Sequence, residues 1–333
     1  MHFMTSSHNL TVIVLTRDED QHIKRALASV AGIASHCYVI DSGSTDRTCE
    51  LAQAAGATVL ENSWVNYSTQ FNWALDHLPA ETDWVLRLDA DEYLTPELAA
   101  EIKEKLARLP TSVAAVNVGR RIHFLGRRIK WGGIFPIRVA RLFRYGKGRC
   151  ENRWMDEHII FEGRAADFRG ELIDDNRNSL TWWTEKHNNY ASREVVDLLN
   201  LSDRFMASET VANLAQRQQA GFKRWVKEHI YARAPLGLRA LVYFLYRYFF
   251  RLGFLDGREG LAFHFLQGFW YRYLVDAKLF EVRKYMAENR VDAPSAIEDV
   301  LGIQVVNHVS PPPDSSKCVN KRSKESARYN RNQ

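Results

Sequence analysis

Cysteine is scarce in this chain. Cys37, Cys49, Cys150 and Cys318 are the only four in 333 residues and no two form a C-x-x-C pair, which argues against a zinc site or disulfide scaffold and for a reducing compartment. There is also no uninterrupted apolar run of about 18 residues, the length needed to span a bilayer. The first ten residues, MHFMTSSHNL, lack the basic start and apolar core of a secretory leader. These absences predict a protein on the cytoplasmic side. Charge of one sign is missing too: 45 Lys and Arg stand against 40 Asp and Glu. That modest basic excess suits an anionic ligand or a membrane surface and does not call for nucleic acid. No internal repeat is visible.

The chain does have enough apolar residues, 46%, to fill a sizeable core. Leu10 to Leu15 reads as a buried strand, and Ile23, Leu27 and Val30 follow at helical spacing. His36 to Asp41 is a second strand; Ser44 is placed to cap the next helix, with Asp46 in its first turn, and Gly56 stops it before a strand at Thr58 to Leu60. Phe71, Ala74, Leu75 and Leu78 form another helical stripe ahead of the strand Trp84 to Leu88. Thr95 then Pro96 open a further helix through Leu98, Ile102, Leu106 and Leu109, and Val113 to Val118 is a strand. This alternation predicts an α/β fold with a mostly parallel sheet flanked by helices. From Arg120 to Glu171 the pattern loosens into short strands and glycine-bearing loops, and from His187 it becomes largely helical. The expected organisation is a catalytic domain at 8–230, an amphipathic helical region at 231–309 and a disordered basic tail at 310–333.

The chemistry concentrates in "VLRLDADEYL", residues 85 to 94, where a buried strand runs into Asp89, Asp91 and Glu92. Ligands of open α/β sheets bind beyond the carboxyl ends of strands. Two aspartates one residue apart can offer one carboxylate to a divalent ion and the other to a hydroxyl. Hard oxygen ligands suit Mg²⁺ or Mn²⁺, which normally complete their shell with water and substrate phosphates. An isolated D-x-D is common by chance, and solvated acids ahead of a helix would look the same. However, "VIDSGSTDRT", residues 39 to 48, repeats the arrangement one crossover earlier, with Asp41 at the strand end where it could accept hydrogen bonds from a base or ribose.

"VLTRDEDQHIKRALASV", "VIDSGSTDRT" and "DWVLRLDADE", in this order and spacing, resemble the family 2 glycosyltransferases over roughly residues 9 to 165. The resemblance implies a nucleotide-diphospho-sugar transferase fold of the GT-A-like type, an inverting reaction, and a nucleotide-diphosphate sugar, UDP-linked by preference, as donor. It places Thr16 and Glu19 in the first nucleotide-contacting turn, Asp41 at the acidic strand end, and Asp89 and Asp91 in the D-x-D that holds metal and donor ribose. Ser42 stands where many members have a second aspartate. "QFNWAL" has Phe71 before Asn72 where many have Arg or Lys before Asn; Phe71 lies on the apolar stripe, so another cation must help neutralise the diphosphate.

Inverting displacement needs a base within hydrogen-bond reach of the acceptor hydroxyl. "RWMDEHI", residues 153 to 159, supplies Asp156 and Glu157 beside Trp154, an aromatic on which a sugar can stack. Glu157 is the preferred candidate, with Asp156 the alternative, and His158 is read as a neighbour. "KWGGIFP", 130 to 136, is a candidate acceptor loop or a plain surface turn.

The stretch 235 to 257 reads as an amphipathic helix. Arg239, Arg247 and Arg251 share one arc, and Leu241, Leu245, Tyr248, Phe249 and Leu252 lie opposite. Such a helix either packs on the domain or lies in the headgroups of an anionic membrane. No nucleic-acid module accompanies it. The processive-synthase signature Q-x-x-R-W is absent. The expected function is metal-dependent transfer of one sugar to a glycan or lipid-linked acceptor in bacterial envelope polysaccharide assembly, in the cytoplasm or on the cytoplasmic face of the inner membrane. The alternatives are a polyprenyl-phosphate acceptor, or a non-catalytic nucleotide-sugar-binding scaffold.

Overall fold

The computed structural model describes residues 9–151, 157–206 and 237–305. The chain begins with β1 (Leu10–Thr16), α1 (Ile23–Val30), β2 (His36–Asp41), α2 (Thr48–Ala54), β3 (Thr58–Glu61), α3 (Tyr67–Asp76) and β4 (Trp84–Asp89). Then come β5 (Glu92–Leu94), α4 (Pro96–Lys105), β6 (Val113–Phe124), β7 (Arg127–Arg128), β8 (Ile137–Arg144), β9 (Gly148–Cys150), β10 (Ile159–Phe161) and β11 (Arg164–Asp175). The helical part comprises α5 (Leu180–Asp203), α6 (Leu238–Leu245), α7 (Gly257–Phe265), α8 (Tyr271–Asn289) and α9 (Ala293–Leu301).

Both faces of β1 are buried, which is why LTVIVLT shows no polar alternation. Val12 and Val14 point to a core shared with Ile23 and Leu27 of α1 and with Leu98 and Ile102 of α4. Ile13 points to the opposite core, with Phe71, Ala74 and Leu75 of α3. Helix α4 starts as its sequence demands: the Thr95 side chain accepts from the Leu98 N–H, and Pro96 opens the first turn. Entry to α2 differs from expectation. Thr48 begins that helix, its N–H is met by Asp46 Oδ1 at 2.8 Å, and Ser44 instead bonds to Asp41.

The large sheet has strand order β3-β2-β1-β4-β8-β6-β11-β5, with β7 on β6, and β9 and β10 form a separate pair. Strands β3, β2, β1 and β4 are parallel, as expected from their helical crossovers. Beyond them the sheet is mixed: β8 is antiparallel to both β4 and β6, β5 is antiparallel to β11, and β11 is parallel to β6. The reason is local. The segment after β6 carries no crossover helix, so β8 returns beside β6 by a short connection, which only an antiparallel pair allows, and β11 then runs parallel to β6 on its other side.

The region expected to begin a separate unit at 231 shares a core with what precedes it. Val195, Val196 and Leu199 of α5 pack with Val275, Leu279 and Val282 of α8 and with Ile297 of α9. The 310–333 tail lies outside the described residues.

Helix α6 continues through a wider π turn at Tyr246–Phe250. It is amphipathic, with Arg239 and Arg247 turned toward the protein and the apolar arc turned outward. Arg239 is bonded to the buried Asp276 of α8. Arg247 is buried, donating to the Gly132 carbonyl (3.2 Å) and to Gln267 Oε1 (3.1 Å). Leu241, Leu245, Phe249 and Leu252, on the apolar arc, are exposed. Arg239 and Arg247 turn inward because acceptors on α8, on the 130–136 loop and on the turn after α7 are waiting there, whereas Arg251 stays exposed.

Candidate active site

Register lines up the site. Thr16 lies opposite Asp41 across β1 and β2, and Leu15 lies opposite Asp89 across β1 and β4. The C-terminal edge of the parallel strands therefore carries Thr16, Asp41 and Asp89 in a row. The chain runs from β1 outward to β2 and β3 on one side and then crosses back to place β4 on the other side of β1, which makes this edge the topological switch point where open α/β sheets bind ligands. A cavity of about 1170 Å³ opens there, lined by Thr16, Glu19, Ser42, Asp89, Asp91 and Glu157 among the expected residues.

The first two loops brace each other. Thr16 Oγ1 and Ser44 Oγ donate to Asp41 Oδ1, and the N–H groups of Gly43 and Ser44 donate to Oδ2. Burial works against the Asp41 charge, but these four donors outweigh it and hold its carboxyl below the usual range. Asp41 thus shapes the turn and has no acceptor position left over for a base or ribose. Asp18, at φ +54°, accepts from the Thr45 N–H, and Glu19 N–H donates to Thr48 Oγ1. Buried His22 accepts the Arg177 N–H at Nε2, so its Nδ1 carries the proton that meets Glu19 Oε2 at 2.6 Å. Burial, reinforced by nearby Asp91 and opposed by His22, raises the Glu19 carboxyl.

At the end of β4, Asp89 accepts from the Tyr67 hydroxyl (2.6 Å) and from the Arg141 guanidinium (3.1 Å). The same arginine is bonded to Glu92, and Glu92 Oε2 receives the Asp89 N–H at 3.1 Å. Burial opposes ionisation of Asp89, but Arg141, Arg87 and the Tyr67 hydroxyl overcome it and hold the carboxyl far below normal. Burial pushes Glu92 the other way. Arg87 lies over the Tyr67 ring at 4.2 Å, donates to the Tyr67 oxygen at 2.8 Å, and reaches the Glu157 carbonyl at 3.0 Å. Asp91 receives the Asn176 amide at Oδ2 (2.9 Å), leaving Oδ1 uncommitted among the described residues.

Helix α5 forms the opposite wall. Ser179 caps it, and Trp182, Lys186, Tyr190 and Arg193 line the cavity at helical spacing. The Lys186 ammonium sits 4.4 Å from the centre of the Trp182 ring and, among the described residues, makes no ion pair within 4 Å. Burial opposes its charge, yet Tyr190, Asp91 and Glu19 outweigh that and keep it firmly protonated. Arg193 lies over Trp64, from the loop after β3, at 5.7 Å. Further along, Phe124 stands edge-on to Trp183 and to Phe263 of α7.

Two candidates fall elsewhere. Asn72 is not on the cavity: its amide exchanges hydrogen bonds with the backbone of Cys150 (3.0 and 2.9 Å), stapling α3 to β9. Asp156, with Arg153 and Trp154 of the same stretch, lies outside the described residues. Sequence reasoning missed Tyr67, Arg87, Arg141 and Lys186. Arg87 was findable, as the one charge inside an otherwise apolar strand.

Among the described residues no three His, Cys, Asp or Glu side chains converge to hold a metal unaided. Asp91, with one oxygen uncommitted, and Asp89 beside it fit a hard divalent ion that takes most of its oxygens from phosphates and water.

A mixed sheet flanked by helices, with its cavity at the C-terminal strand edge behind a D-x-D, defines a GT-A-like nucleotide-diphospho-sugar transferase fold. Residues 11–165 match the family described as Glycosyl transferase family 2. A glycosyltransferase of Rickettsia bellii, itself uncharacterized, is 38% identical over 94 residues, 28% of this chain and 31% of that protein. A TPR repeat-containing protein of Synechococcus elongatus is 34% identical over 136 residues, 40% of this chain and 31% of that protein. The chain thus spans about a third of the length of the curated relatives it matches. Among solved structures, glucosyl-3-phosphoglycerate synthase from Mycobacterium tuberculosis, in complex with Mn²⁺, UDP and glucosyl-3-phosphoglycerate, is 20% identical. That likeness covers 35% of this chain and 45% of the other, at TM-score 0.28.

Proposed function

We propose that the protein transfers a single sugar, with inversion, from a nucleotide-diphosphate donor to a glycan or lipid-linked saccharide of the bacterial envelope. UDP is the preferred nucleotide. One observation carries the reading: the acids at the end of β4 open onto a cavity whose opposite wall presents a protonated lysine that no carboxylate among the described residues neutralises at ion-pair distance. A donor diphosphate belongs between the two. Lys186 is the cation whose absence at position 71 the sequence exposed, and Arg193 extends the same wall.

Asp91 and Asp89 would hold Mg²⁺ or Mn²⁺, which supplies Lewis-acid stabilisation of the departing diphosphate. Thr16, Glu19 and Ser42 border the nucleotide end, and Trp64 lines the cavity as an aromatic for stacking. A carboxylate near residue 157 takes the acceptor hydroxyl proton as the acceptor oxygen bonds to the anomeric carbon. The bond from that carbon to the phosphate oxygen breaks, and the nucleoside diphosphate leaves with the electron pair. Glu157 is favoured because it lines the cavity and Arg87, 4.0 Å from Asp89, fixes its backbone.

Asp91→Asn should lower transfer at least a hundredfold with the melting temperature unchanged. Transfer at the wild-type rate would remove Asp91 from the chemistry. The full commitment of Asp41 to protein donors favours a second reading, a nucleotide-sugar-binding scaffold without turnover. Its mark would be tight donor binding with neither hydrolysis nor transfer.

A further inference from the structure

The outer face of α6 and its continuation is apolar where a water-facing helix should be polar. Leu241, Val242, Leu245, Phe249 and Phe250 recur at the spacing of one helical stripe and are all exposed, Phe250 to 78%. Phe265 of α7 extends the patch, standing edge-on to Phe244 at 5.8 Å and itself exposed. Scattered apolar residues on a surface need no explanation, but a contiguous stripe of this size does.

The orientation is fixed by the buried side. Arg247 is held by the Gly132 carbonyl, by Gln267 and by His264 Nδ1 (3.3 Å). His264 Nε2 faces Asp256 Oδ2 at 3.3 Å, and the Asp256 carboxylate also accepts the N–H groups of Lys130 and Trp131. Gly132, at φ +70°, is required here, because a Cβ would lie 2.2 Å from the His264 ring. Rolling α6 over to bury its apolar stripe would strand a guanidinium and break this network, a loss that apolar burial does not offset. The stripe therefore faces outward by construction.

The charges around the stripe indicate what covers it. Between 237 and 258 the exposed charged residues are Arg251 and Arg258, and Asp256, the one carboxylate there, is buried. Lys130, next to the Asp256 network, is exposed as well. A second copy of this face would bring arginine against arginine. An anionic bilayer offers hydrocarbon to the stripe and phosphate to its rim. No described helix is long and apolar enough to cross a membrane, so contact would be at the interface.

We infer that α6 and its π-turn continuation dock the protein on an anionic membrane, apolar stripe inward and arginine rim among the headgroups. This goes beyond sugar transfer and does not depend on it. It also has a consequence for the site: the same arginine that orients the stripe bonds Gln267, and Gln267 and Phe263 line one end of the cavity. That end then lies close to the bilayer, where an amphiphilic acceptor would present its head.

The test is flotation of the full chain with phosphatidylglycerol-containing vesicles and with pure phosphatidylcholine vesicles, alongside sedimentation equilibrium. The wild type should float with the anionic vesicles and remain monomeric. Phe249→Ser/Phe250→Ser, both at exposed positions, should cut flotation at least tenfold with the melting temperature unchanged. Arg251→Glu/Arg258→Glu should abolish the preference for anionic lipid. Wild type left at the bottom with both vesicles, equal flotation of the serine variant, or a dimer that the serine variant dissociates would each overturn the inference. Because donor binding is not measured, the outcome is independent of whether the cavity takes a nucleotide sugar.

Discussion

Arg141 shows how the acidic strand end is made tolerable. It is 4% exposed and bonded to both Asp89 and Glu92, and Glu92 is 1% exposed. Removing one member of a buried charge group leaves the others desolvated without a partner, which costs about 3–5 kcal/mol. Arg141→Met should lower unfolding free energy by that amount in urea titration, and a loss under 1 kcal/mol would mean the group is not buried as described. The acids of this cluster were plain in the sequence, and their partners were not. Asp89 and Asp91 stand three and one residues from Glu92, but Arg141 arrives from β8, and nothing in a linear reading pairs residues 49 or 52 apart. Asp41 shows the reverse case: its position was legible, but its commitment to Thr16, Gly43 and Ser44 depends on loop geometry that a strand-then-turn pattern does not encode.

Among the elements, β1 to β4 with their helices were readable because both faces of each strand are covered and every crossover helix carries an apolar stripe at regular spacing. The second half of the sheet was not. Strands β8 and β11 include Arg138, Arg141, Arg144, Asp174 and Asp175, which pair across strands and break the apolar alternation. For α6 the amphipathic pattern gave the two arcs, and which of them faces the protein was decided by acceptors distant in sequence, at Gly132 upstream and at Asp276 and Gln267 downstream. The His264 network at this junction has a measurable signature. Burial, followed by the Arg247 charge, lowers the His264 pKa to about 4, with Asp256 opposing. The native ring stays neutral while the unfolded one takes a proton near the ordinary histidine value, so stability present at neutral pH is lost as pH falls from about 6.5 toward 4. The slope is at most about 1.4 kcal/mol per pH unit. Thermal melts of His264→Gln between pH 7 and 5 should show a shallower decline than wild type, and parallel declines would detach this histidine from the acid sensitivity.

On the scale of the whole molecule, the helical part completes the site as well as following it. Helix α5 shares one core with α8 and α9 and presents Trp182, Lys186 and Tyr190 to the acids at the end of β4. The cavity thus has one end built from the first two loops, a charged middle between Asp91 and Lys186, and a far end at Phe124, Trp183 and Phe263. The central claim is that a nucleoside diphosphate occupies the middle. Calorimetric titration of UDP with Mn²⁺ tests it most directly, comparing the wild type with Lys186→Gln and using uridine as the uncharged control. Saturable heat with wild type, at least tenfold weaker UDP binding by Lys186→Gln, and equal uridine binding by both are the expected result. No heat with UDP or any other nucleoside diphosphate, with or without the metal, would contradict it.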